Sequence, residues 1–167
     1  DSNDQDPGQQ KSHRGIYLLP NMITTAGMFS GFYAIVAAMD GRFEAAAVAI
    51  FIAMVLDGLD GRVARLTNTQ SEFGVQYDSL ADMVSFGLAP ALVVYEWSLK
   101  FMLSVGWAKF GWLAAFIYAA SAALRLARFN SQIATAEKAY FRGLPSPSAA
   151  GVLAGLVWAA TDLGLTG

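Results

Sequence analysis

Four aspartates, Asp57, Asp60, Asp78 and Asp82, stand at the edges of oily segments in the stretch "DGLDGRVARLTNTQSEFGVQYDSLADMVSFG". Asp57 and Asp60 are three apart and Asp78 and Asp82 four apart, so each pair shares one face of a helix at about 100° per residue. The residues between the pairs include Thr67, Asn68, Thr69 and Gly74, which suit a chain reversal. Two antiparallel helices would then aim four carboxylates at one point. Carboxylates cannot gather at low dielectric without cations to balance them. Hard oxygen donors select Mg2+, Mn2+ or Ca2+ over zinc. Four carboxylates suffice for two divalent ions in a bridged pair, the arrangement that clamps both oxygens of a phosphoryl displacement. Gly58 and Gly61 leave the helix backbone open to a bulky ligand, and Arg65 can offer its guanidinium to a phosphate.

Much other chemistry is excluded. The chain has no cysteine, so disulfides, thiolate nucleophiles and thiolate–metal sites are absent. Its one histidine, His13, falls in a polar N-terminal stretch and reads as solvated. Acid–base work must therefore rest on carboxylates. A net charge of −2 gives no electrostatic case for a nucleic-acid partner.

The elements that position these residues are apolar. Of 167 residues, 55% are hydrophobic and 14% charged, with a mean hydropathy of +0.42. Five apolar blocks, Met22–Met39, Phe43–Leu59, Ser79–Leu99, Phe110–Leu126 and Ser148–Leu163, each approach the ~20 residues that cross a bilayer. The expected fold is an all-α polytopic transmembrane bundle of five spans, with "DGR" at 40–42 making the first two a tight hairpin. Residues 1–21 read as a polar, mobile tail and interfacial lead-in, and 22–167 as the membrane domain. With the N-terminus cytoplasmic, the inner face carries Lys11, Arg14, Arg62, Arg65, Arg125, Arg128, Lys138 and Arg142, against Arg42, Lys100 and Lys109 outside. The odd span count and the absence of an initial Met suggest a longer protein with at least a sixth span. Gly27/Gly31 and Gly151/Gly155 form two GxxxG pairs, read as close packing inside the chain, with a homodimer contact as the alternative. Pro90 is expected to kink the third span and free a carbonyl for a neighbour or the cavity.

Taken singly, each charged residue at a span's end reads as an interfacial anchor. Taken together, at membrane depth, they read as a functional site. The pattern D-x2-D-G-x2-A-R-x8-G-x3-D-x3-D is met at Asp57, Asp60, Gly61, Ala64, Arg65, Gly74, Asp78 and Asp82. It resembles the signature of the CDP-alcohol phosphotransferases, and eight such matches arise by chance less than about once in 10⁹ trials. The resemblance implies that a CDP-linked donor rests its diphosphate on two metal ions, Mg2+ or Mn2+, while an acceptor hydroxyl displaces CMP. It implies Asp57, Asp60, Asp78 and Asp82 as metal ligands, with Asp82 also the general base. Gly61 and Arg65 would contact the cytidine diphosphate. Asn21 and Thr24, in "LPNMITTAG", match a weaker pattern near the nucleotide pocket, and by spacing alone suit a helix cap equally well.

Three further stretches resemble the phosphatidylserine synthase branch of that family: "ADMVSFGLAP" at 81–90, "RLARFN" at 125–130 and "YFRGLPSPSAAG" at 140–151. The resemblance implies CDP-diacylglycerol as donor, L-serine as acceptor and an inner-membrane enzyme facing the cytoplasm. Arg125, Arg128 and Arg142 could hold the acceptor's carboxylate bidentately, or serve only as positive-inside anchors. Two alternatives stand beside this reading. One is the same chemistry with glycerol 3-phosphate or an inositol phosphate as acceptor. The other is a divalent-cation transporter, since intramembrane carboxylates also line ion paths.

Overall fold

The computed structural model describes residues 7–68, 71–106, 108–134 and 146–164. All regular structure among them is helical: α1 (Pro7–Met39), α2 (Phe43–Leu66), α3 (Glu72–Asp82), α4 (Ala89–Val105), α5 (Ala108–Ala134) and α6 (Ser146–Asp162). A six-residue π-helical segment, Met83–Leu88, joins α3 to α4 in one continuous rod. The five apolar blocks therefore correspond to five rods among the described residues.

Packing follows the logic of lipid rather than water. The interior is built from small side chains: Ala34, Ala37, Ala38, Ala46, Ala47 and Ala53 are all at most 1% exposed. Phe86, Ile50 and Val157 join them, whereas many other large apolar side chains point outward, with Phe29 71%, Leu124 73% and Val152 63% exposed. In a bilayer the outward face gains nothing from burial, so helices associate through close contact of small residues. Among the described residues, three stretches are long and apolar enough to cross a membrane: Leu18–Met39, Glu72–Ser98 and Phe110–Ser131. In α2 the apolar run carries Glu44, Asp57 and Asp60, and α6 has only 17 residues.

Both glycine pairs are spent inside the chain. A Cβ on Gly31 would stand 2.6 Å from Ser85 Oγ and 2.7 Å from Ser85 Cα, so α1 lies directly on the π-helical segment. Gly27 meets α2 at Leu56 and Ala53, while Gly151 and Gly155 meet Met54 and Phe51 of α2.

The turn at 40–42 closes as expected. Gly41 takes φ +73, and Arg42 N–H reaches Ala37 O at 2.8 Å while Gly41 N–H reaches Ala38 O at 2.9 Å. These two bonds satisfy carbonyls left over at the end of α1. Arg42 then pairs with Asp40 at 3.2 Å and donates to Tyr33 Oη at 3.1 Å.

Two details differ from the sequence reading, and a third, the carbonyl freed by Pro90 and met by a neighbour, agrees with it. First, α1 begins at Pro7 and runs through Pro20, so the lead-in is helix and Asn21 and Thr24 lie well inside it. The helix-cap reading of those two residues falls with that. Second, Gly74 is not in the turn. α2 ends at Leu66 with Thr67 as its C-cap, Asn68 follows at φ 52, and Ser71 caps α3 by accepting the Gly74 N–H at 2.9 Å. Third, the irregularity caused by Pro90 lies before it. A proline ring excludes the carbonyl four residues back, here Phe86 O, and the helix widens so that Ala89 N–H bonds Val84 O. The Phe86 carbonyl accepts the Tyr118 hydroxyl of α5 at 3.2 Å.

Candidate active site

The carboxylates meet where α2 and α3 face α1. Asp57, Asp60 and Asp78 each offer an oxygen within 4.8 Å of the others. Asp82, one helical turn on from Asp78, lines the same pocket. The pocket floor comes from Gly27 and Met28 of α1 and from Ser85 and Phe86 of the π-helical segment. Asp60 is 5% exposed and the other three are half-buried.

Four acidic groups this close, partly withdrawn from water, repel one another and lose hydration. A hard divalent cation removes both objections. The donor set fits one, because the charged and hydroxyl donors of the lining are hard oxygens, with Met28 the one sulfur and no thiolate or imidazole among them.

The helices are pinned where they carry these groups. Thr24 Oγ1 donates to Asp60 Oδ2 at 2.6 Å, joining α1 to α2. Thr25 Oγ1 and Tyr77 Oη are 2.8 Å apart, joining α1 to α3 one residue before Asp78. On the other side, Asn130 Nδ2 of α5 donates to Ser79 Oγ at 3.0 Å. Ser85 Oγ, in the pocket floor, donates to Gly27 O at 3.3 Å. Sequence reasoning singled out none of Thr25, Tyr77, Ser79, Ser85, Tyr118 or Asn130. Their one signal is that lone polar residues in apolar spans need partners.

The remaining sequence candidates separate. A Cβ on Gly58 would meet nothing within 4 Å, and one on Gly61 would meet only an Arg65 guanidinium nitrogen, at 3.9 Å. That side of α2 is open, as a bulky ligand requires. Arg65 Nε donates to Gly61 O at 2.9 Å, which lays the guanidinium along the helix beside the opening. Asn21 Oδ1 lies 3.6 Å from where a Gly74 Cβ would stand, so Gly74 admits α1 to α3 at this level. Arg125 and Arg128 are exposed near the end of α5. Arg125 comes two turns after Tyr118 and within electrostatic reach of it. Arg128 is turned about 60° further from the buried face of Ala119 and Ala122, at ~100° per residue. Arg142 lies outside the described residues.

A family model for the CDP-alcohol phosphatidyltransferases matches residues 17–166. The chain belongs to this family. Among curated CDP-alcohol phosphatidyltransferase relatives, it is 42% identical to the CDP-diacylglycerol–serine O-phosphatidyltransferase of Helicobacter pylori, over 81% of this chain and 55% of that protein. The enzyme of the same name from Mycobacterium tuberculosis is 41% identical, over 90% of this chain and 53% of that protein. The archaetidylserine synthase of Methanothermobacter thermautotrophicus is 35% identical, over 79% and 54%. The chain thus spans about half the length of the curated relatives it matches.

Proposed function

We propose that this protein is a CDP-diacylglycerol–serine O-phosphatidyltransferase, joining CDP-diacylglycerol to L-serine to give phosphatidylserine and CMP. The observation that carries the reading is the meeting of Asp57, Asp60 and Asp78 within 4.8 Å, with Asp82 against them, beside an open, glycine-lined face of α2. The names of the relatives support serine as acceptor: the archaeal name differs in the lipid and keeps the serine.

In this reading Asp57, Asp60, Asp78 and Asp82 hold two divalent ions, Mg2+ or Mn2+. The ions, when bound, supply positive charge that neutralises the diphosphate and stabilises the charge building up on it. Gly58 and Gly61 let the diphosphate approach the backbone, and Arg65 reaches a phosphate oxygen from the rim. Asn21 borders the nucleotide. The serine hydroxyl oxygen forms a bond to the phosphorus that bears diacylglycerol, as that phosphorus loses its bond to the bridging oxygen, which leaves with CMP. Asp82 accepts the hydroxyl proton. Among the described residues the site offers no histidine or cysteine for that task.

Arg125 is the better placed of the two described arginines to hold the serine carboxylate, since it shares the face of α5 turned toward the π-helical segment. We further propose that α2 and α6 also cross the bilayer, giving five spans in this chain with the N-terminus and the carboxylates on the cytoplasmic side of the inner membrane. The charge asymmetry of the loops supports that orientation. The grouping of the aspartates at one end of the bundle, next to Arg65, favours phosphoryl chemistry over a cation path. The test is an acceptor screen with labelled CDP-diacylglycerol, read by lipid chromatography. Serine-dependent phosphatidylserine with CMP release is expected. A product formed only with glycerol 3-phosphate or an inositol phosphate would reject serine, and cation flux without CMP release would reject the enzyme.

A further inference from the structure

Of the four aspartates, Asp60 is the one that a neutral side-chain donor holds among the described residues. Thr24 and Asp60 are 6% and 5% exposed, and their oxygens are 2.6 Å apart. The Thr24 hydroxyl has one proton and two acceptors in reach, Asp60 Oδ2 at 2.6 Å and Pro20 O at 3.0 Å. The shorter distance is that of an O–H···O⁻ bond to a charged acceptor, which lies near 2.5–2.7 Å and is about twice as strong as a neutral one. The proton therefore belongs to Asp60.

The backbone is arranged to allow this. Threonine is short, and its hydroxyl reaches a neighbouring helix only where the two axes come close. One turn on from Thr24, Gly27 supplies that closeness: a Cβ there would already touch Leu56 Cβ at 3.6 Å and Ala53 O at 3.8 Å. Below it, Gly31 brings α1 onto Ser85. Thr24, Gly27 and Gly31 share one face of α1, so the glycines set the helix and the threonine uses the approach.

We infer that Thr24 is a positioning residue for Asp60, fixing the carboxylate in one orientation for a divalent cation rather than contacting the nucleotide. By engaging one carboxylate oxygen, the hydroxyl stops rotation of the group and leaves the other oxygen for the ion. An aspartate on a helix otherwise turns through several orientations, and ordering it at the moment of binding costs free energy. Outer partners of this type change metal affinity by about 10–100-fold when removed. The inference rests on the reading of the aspartate cluster as a divalent-cation site, and it replaces the assignment of Thr24 to the CDP pocket.

The test is Mn2+ titration of the purified full chain in detergent, with free Mn2+ read by its electron paramagnetic resonance signal, in the absence of any lipid substrate. Thr24→Val keeps the branched shape and loses the hydroxyl, and is expected to weaken Mn2+ binding by about tenfold or more. Thr24→Ser restores the donor and is expected to bring affinity back to near the starting value. Thr24→Ala is measured in parallel, so that whichever hydroxyl-less variant keeps the native helical content decides the point. At saturating Mn2+, affinity for CDP-diacylglycerol should be unchanged in these variants. Unaltered Mn2+ binding in a folded hydroxyl-less variant would overturn the positioning role, and lost donor affinity with normal Mn2+ binding would return Thr24 to the nucleotide. Absence of Mn2+ binding by the unaltered chain would instead remove the metal reading itself.

Discussion

The Tyr118 hydroxyl of α5 donates to the Phe86 carbonyl at 3.2 Å, at the one turn of the central rod where Pro90 cannot supply an N–H. Asp82 is the last residue before that widened turn. A carbonyl exposed by a proline inside a bilayer must find a donor, and here the donor comes from the helix that also carries Arg125. Tyr118→Phe removes it without changing shape. We expect a loss of about 1 kcal/mol in stability, measured as a lowered unfolding temperature in detergent.

Gly31 and Gly58 should respond in opposite ways to the same substitution. Gly31→Ala would place Cβ 2.7 Å from Ser85 Cα, a backbone atom that cannot step aside. A destabilisation of about 1–3 kcal/mol is expected, readable by thermal unfolding. Gly58→Ala meets nothing within 4 Å and should leave the fold as stable or slightly more so. Its effect should appear in the KM for CDP-diacylglycerol, which rises if the diphosphate approaches that backbone.

Chelation should abolish turnover, and added Mg2+ or Mn2+ should restore it. Full activity after exhaustive removal of divalent ions would contradict a site built from four carboxylates.

Asp82→Asn keeps the size and one oxygen of the side chain but cannot accept the proton. Turnover is expected to fall by roughly 10² or more, with CDP-diacylglycerol still bound. Single-turnover and binding assays separate the outcomes: near-normal turnover rejects Asp82 as base, and joint loss of donor and metal binding leaves it a ligand only.

Arg125→Ala should raise the KM for serine by about tenfold or more, the loss of a charge-assisted pair, with little change for the lipid donor. Arg128→Ala should do less, because Arg128 is turned away from the buried face of α5. No effect of either variant on serine, or an effect confined to the lipid donor, would return both arginines to a topological role.

The sequence by itself determined the helical class, the five apolar blocks and the eight-residue pattern that brings Asp57, Asp60, Asp78 and Asp82 into one family of chemistry. These are legible because each is local: a span needs a run of apolar residues, and a helix face needs only a spacing of three or four. It also showed the turn at Gly41, since the left-handed conformation that ends α1 there names its own residue type. Tertiary structure decided the partners. That Thr24 meets Asp60 depended on a residue 36 positions away. The freed carbonyl was foreseeable from Pro90, whereas its donor, Tyr118, was not. Gly74 looked like a turn residue and proved to be a point of close approach to Asn21 of α1. In each case spacing along one helix says which side chains share a face, but only the packing of several helices says what that face meets.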